Sequence, residues 1–99
     1  MSLKESINNE IETRFYYIDY PSGTPEKFWK DGHGNLVFIQ DMGLDHLKLC
    51  IRRIEKDIED FNRHWAGFSN GLEVREQLFP LVEVKLDELR KAFAQNFTL

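Results

Sequence analysis

Apolar residues fall into two long helical rhythms in the C-terminal half of the chain. From Leu44 onward, Leu47, Ile51, Ile54, Ile58, Phe61 and Trp65 recur at steps of three and four, which puts them on one stripe of a helix of about six turns. Gly67 ends that rhythm. Asn70 and Glu73 then have the spacing of a capping box, and Leu78, Val82, Leu86, Leu89 and Phe93 form a second stripe running to about Gln95. Pro80 lies inside it, where a proline removes the N–H that would bond to the Glu76 carbonyl and crowds that carbonyl. The stripe keeps phase across the proline, so residues 71–95 read as one helix kinked at Pro80 or as two abutting helices. Two stripes joined by a turn of about five residues pack antiparallel.

The N-terminal half carries a different pattern. Ser2 and Glu5 fit a capping box and Leu3, Ile7 and Ile11 follow at helical spacing, predicting a short helix over residues 3–12. Thr13 to Tyr20 is β-branched and aromatic, a composition suited to a half-buried pleated surface, and reads as a strand. Thr24-Pro25-Glu26 suits the start of a single helical turn, while Lys27 to Lys30 also suits a strand, so residues 25–30 remain open between the two. Asp31 to Asn35 contains two glycines and reads as a hairpin loop, with Leu36 to Ile39 as the returning strand. The expected fold is α+β: two long antiparallel C-terminal helices packed with a small antiparallel hairpin and a short N-terminal helix.

Composition narrows this picture. The 99 residues suffice for one core, and the glycine- and proline-containing stretches at 21–25 and 32–34 are turn-sized, so residues 1–99 form a single domain. Eight Phe, three Tyr and two Trp supply much buried area for a short chain and leave apolar surface over for a protein partner or for self-association as a homodimer. The formal charge of −4 is spread as −2 over residues 1–40, −1 over 41–66 and −1 over 67–99, which lowers the expectation of nucleic-acid binding. Cys50 is the sole cysteine, the N-terminus lacks the pattern of a signal peptide, and no run approaches the length of a membrane span. The expected setting is the cytoplasm of a bacterial host, with no membrane association.

Packing competes with chemistry for each candidate residue. His46 and Cys50 share a helix face at a spacing that can place two ligands on zinc, with Asp41, Asp45 or His33 as completing groups. A structural zinc needs four well-placed ligands, and three His with one Cys and no paired Cys motif favour a buried apolar Cys50 and a His46 that hydrogen-bonds the hairpin. A Cys50/His46 nucleophilic pair fails on the same ground, since burial raises a thiol pKa. Asp-Gly-His-Gly-Asn lacks the trailing Lys and Ser/Thr of a phosphate loop, which leaves His33 at an exposed hairpin tip. Lys48, Arg52, Arg53, Lys56 and Arg63 make one side of the first long helix partly basic, with Glu55, Asp57, Glu59 and Asp60 interleaved. A Glu59/Arg63 intrahelical pair and a solvated mixed-charge face are expected there. Trp29 and Trp65 suit interaction anchors, but their phase favours burial.

The run Trp29-Lys30-Asp31-Gly32, then Leu36 to Ile39, Asp41-Met42, His46-Leu47, Ile51 and Ile54 resembles a pattern in small uncharacterised phage- and prophage-encoded proteins. There a Trp-containing strand, a Gly turn and a second apolar strand lead to a Met and a helix opening on His-Leu or His-Ile. Those proteins carry Thr or Ser after the Met, where this chain has Gly43. The resemblance covers about thirty residues. It implies an accessory protein of a mobile element and brings no catalytic residues or cofactor.

The expectation is therefore a non-enzymatic, cofactor-free interaction protein. The contact candidates are Lys48, Arg52, Lys56 and Arg63, with His33 and His46 as a polar pair near the hairpin. The alternative is a weak nucleic-acid-binding regulator using the basic side of residues 48–63.

Overall fold

The computed structural model of the protein describes residues 2–18 and 24–97. Among these residues the elements are three helices and one hairpin: α1 (Leu3–Thr13), β1 (Phe28–Lys30), β2 (Leu36–Phe38), a 3₁₀ turn (Ile39–Asp41), α2 (Leu44–Trp65) and α3 (Gly71–Phe97). It is an α+β protein whose antiparallel α2 and α3 are the dominant elements. α3 is the hub, packing against α2, α1 and the 3₁₀ turn.

α1 begins where the sequence signals it. Ser2 Oγ accepts from the Glu5 backbone N–H at 3.2 Å, meeting one of the donors that every helix N-terminus leaves open. α2 has no such side-chain cap, since Gly43 stands at that position, but it carries Asp45 in its first turn and Arg63 and His64 in its last, the arrangement that opposes the helix dipole. α3 runs as one helix through Pro80, which lies on its exposed side.

The hairpin pairs Phe28 with Phe38, Trp29 with Val37 and Lys30 with Leu36. Its loop is shaped by Asp31, whose carboxylate accepts the backbone N–H groups of His33 and Asn35 at 2.9 Å each. Those two bonds, Asn35 first, hold the Asp31 carboxyl below the usual range. Gly34 takes a φ of 85°, a conformation that glycine adopts without steric cost. The open segment 25–30 divides: residues 25–27 form a turn, closed by the Phe28 N–H donating to the Pro25 carbonyl at 3.2 Å, and Phe28–Lys30 is strand β1. The turn entering it includes Lys27 at a φ of 69°, and the Lys27 carbonyl accepts from the Ile39 N–H at 2.9 Å.

The strand expected over Thr13 to Tyr20 does not form in its described part. Thr13 closes α1, and residues 15–18 follow turns, with the Phe15 N–H bonded to the Glu10 carbonyl and the Ile18 N–H to the Phe15 carbonyl. The end of that expected strand, Asp19-Tyr20, and the start of the expected turn at Pro21 lie outside the described residues. The physical reason is visible in the packing. Phe15, Tyr17 and Ile18 are all fully buried, whereas a half-buried strand sends alternate side chains to solvent. Phe15 plugs the helical hairpin, its ring 6.1 Å from Phe61 on α2 and 6.4 Å from Phe79 on α3. Tyr17 stacks on Trp29 at 4.5 Å and so joins the hairpin to that core.

Candidate functional site

Among the described residues, each helix carries one acidic or basic side chain on its buried face: Glu10 on α1, Asp57 on α2 and Lys85 on α3. On α2 the fully covered positions are Leu47, Cys50, Ile54, Asp57 and Phe61, while Ile51, Ile58 and Trp65 are half-buried along one edge. Asp57 occupies a core position of the three-four rhythm. So does Lys85, between Val82 and Leu89 on α3. A search restricted to apolar residues passes over both. The signal that finds them is phase: each lies three or four residues from buried neighbours on either side.

These groups are anchored by bonds rather than left open for chemistry. The Tyr17 hydroxyl donates to Asp57 Oδ2 at 2.7 Å, and Arg53 Nε donates to the same oxygen at 3.2 Å. Desolvation lifts the Asp57 carboxyl above its usual range against the pull of Tyr17 and Arg53, and desolvation with the nearby carboxylate pushes the Tyr17 phenol well above its own. Glu10 pairs with Arg14 at 2.9 Å and is likewise raised by burial, with Arg14 and His64 opposing. The Trp65 indole N–H is buried near this carboxylate without closing a hydrogen bond. Lys85 Nζ donates to the carbonyls of Phe28 at 2.7 Å and Pro25 at 3.2 Å, and stands 2.7 Å from Glu88 Oε1. Glu88 in turn accepts the Lys27 backbone N–H. A buried ammonium thus fastens the entry of β1 to α3.

The residues singled out from sequence lie elsewhere. Lys48, Arg52, Lys56 and Arg63 are all exposed along α2, with Glu55 and Glu59 among them. Arg63 pairs with Asp60 at 3.5 Å and not with Glu59, because the three-residue step also brings two side chains together on a helix. His33 is exposed at the hairpin tip and His46 is exposed in the first turn of α2. Among the described residues, no hydrogen bond joins His46 to the hairpin, since its position in the rhythm turns it to solvent. Cys50 is buried, and that burial pushes its thiol up to about 11. Among the described residues, no three His, Cys, Asp or Glu side chains gather as metal ligands, and no helix is long and apolar enough to cross a membrane. Trp29 is buried as its phase implied, but Trp65 is only half-buried.

Among the described residues, large apolar groups remain uncovered at Leu36 on β2 and along the α2–α3 hairpin. At its closed end Phe68 and Leu72 are 55% and 65% exposed. Phe68 lies 5.3 Å from the Trp65 ring and stacks on His64 at 5.7 Å. A cavity of about 260 Å³ opens there against Phe61, Trp65 and Leu72. Midway along the hairpin a groove of about 560 Å³ runs between the helices, lined by Ile58, Pro80, Glu83, Val84, Leu86 and Arg90. Glu55 and Arg90 span it at 3.4 Å. Comparison with protein-family models, with curated proteins and with solved structures gives no match for this chain.

Proposed function

We propose that the protein is a non-enzymatic accessory protein of phage or prophage origin that works by protein–protein contact through the solvent face of its α2–α3 hairpin. One observation carries the reading: the half-buried row Ile51, Ile58 and Trp65 continues into the exposed Phe68 and Leu72, so apolar surface follows the hairpin to its tip. Contiguous apolar surface on a small domain marks a contact site, and a half-exposed Trp suits an anchor. The interior supports the same reading. Its ionisable groups are tied into structural bonds, and burial favours the protonated form of its one thiol.

Site-specific photo-crosslinking inside the bacterial host tests this. A benzophenone side chain at Leu72 should yield discrete protein adducts, while the same group at the exposed Lys4 on α1 should yield none. Absence of any protein adduct at Leu72, Phe68 and Val84 would overturn the proposal.

A further inference from the structure

A cavity of about 280 Å³ opens between α3 and the turn that enters β1. That is close to the lower end of small-molecule sites, which start at about 300 Å³, so it has room for a ligand of amino-acid size rather than a nucleotide. Ile39 and Ala92 give it an apolar floor, while Glu26, Lys27, Gln40 and Glu88 bring polar groups to its wall. Lys27 reaches it from an uncommon backbone conformation, its φ of 69° lying where residues other than glycine are crowded. Two bonds hold that conformation: the Lys27 N–H donates to Glu88 Oε2, and the Lys27 carbonyl accepts from the Ile39 N–H at 2.9 Å. Backbone held in this way against local preference gathers at ligand-binding sites. Among the described residues, the Glu26 carboxylate and the Lys27 ammonium have no ion-pair partner. Lys91, on the same wall, is already paired with Asp87 at 2.9 Å.

We propose that this cavity binds a free α-amino acid with an apolar side chain. Glu26 with Glu88 receives its ammonium, and the Lys27 ammonium with the Gln40 amide receives its carboxylate. The lining carries both signs of charge. A simple carboxylate is attracted by Lys27 but repelled by Glu26 and Glu88, and a simple amine meets the reverse conflict. A zwitterion satisfies both signs at once, so selectivity comes from repulsion as well as attraction. Glu88 keeps capacity for this contact: a carboxylate offers about four acceptor positions, and its partners are the Lys27 N–H and the Lys85 ammonium. The floor selects among amino acids, because an aliphatic side chain covers Ile39 and Ala92 where glycine leaves them wet. Ile51, Trp65, Phe68 and Leu72 take no part in this cavity, so the inference stands apart from the protein-contact reading.

Chemical-shift titration of the isotope-labelled chain tests this. The probes are leucine, isocaproate, which lacks the ammonium of leucine, and isoamylamine, which lacks its carboxylate. Leucine should shift the Lys27, Gln40 and Ala92 amide signals saturably, with a Kd of about 1 mM or tighter. Isocaproate and isoamylamine should each bind about tenfold more weakly or worse. Two variants at exposed positions then assign the two ends of the ligand. Glu26→Gln should bind leucine no better than the wild type binds isocaproate, and Lys27→Met no better than the wild type binds isoamylamine. Circular dichroism verifies that both variants are folded, and a merely structural role for either residue would weaken all three probes alike. Absence of a saturable shift with leucine, equal affinity of the wild type for the three probes, or unchanged leucine affinity in either variant would overturn the proposal. Photo-crosslinking at Leu72 is independent of these outcomes, so failure here leaves the protein-contact reading in place.

Discussion

Asp57 is the residue on which sequence and structure differ most usefully. It sits 4% exposed in the rhythm of the α2 core, with one oxygen receiving both the Tyr17 hydroxyl and Arg53. Removing the hydroxyl by Tyr17→Phe leaves a buried carboxylate with one fewer donor, and a lost hydrogen bond to a buried charged group costs about 1.5 to 3 kcal/mol. Asp57→Asn keeps an acceptor for Tyr17 and removes the desolvated charge, so it should change stability by less than about 1 kcal/mol. Urea unfolding at pH 7 checks the order; equal losses in both variants would show that the charge itself matters. Asp57 was expected on the solvated mixed-charge face of α2, yet its three-four spacing from Ile54 and Phe61 turns it inward, as like spacing does for Lys85 and Glu10. Their partners were not legible in the sequence, because Tyr17 is 40 residues from Asp57, and Lys85 reaches carbonyls 57 and 60 residues away. No local pattern encodes such a pairing.

At the level of elements, periodicity carried the helices and turn chemistry carried the hairpin. Leu44–Trp65 has the bounds its apolar stripe implied, and the loop at Asp31–Asn35 closes through the side chain and glycine that marked it. The segment after α1 was misread because β-branched and aromatic composition reports burial as much as strand pairing. With only two strands, β1 and β2, in the described sheet, Phe15 and Tyr17 gain more by filling the helical hairpin. Pro80 is the local conflict that the fold retains. α3 continues through it, forgoing the bond to the Glu76 carbonyl, and its ring lines the groove. Pro80→Ala restores the donor and should stabilise the fold by about 1 to 3 kcal/mol. Thermal unfolding reads it. An unchanged or lower Tm would mean that the ring contributes packing equal to the missing bond.

For the whole molecule, the buried carboxyl groups set how stability follows pH. Glu10 and Asp57 are both raised, chiefly by desolvation. A carboxyl with a higher pKa in the folded state binds its proton more tightly there. The stability it lends is complete below the unfolded value, about 4, and is lost as pH rises through the folded one. Asp31, lowered by its loop bonds, acts in the opposite sense, but its contribution is lost only as pH falls below about 4. Between neutral pH and about pH 5 the two raised groups therefore govern the trend, and Tm should increase on acidification. Net self-repulsion has the same sign, because the chain carries −4 at pH 7 and has a pI near 5.3. Working at high salt screens that contribution and isolates the interior. Under those conditions Asp57→Asn should flatten the slope of Tm against pH, and adding Glu10→Gln should flatten it further. A wild-type Tm that falls steadily from pH 7 to about pH 5 would show that paired surface carboxylates, rather than Glu10 and Asp57, dominate the proton balance of folding.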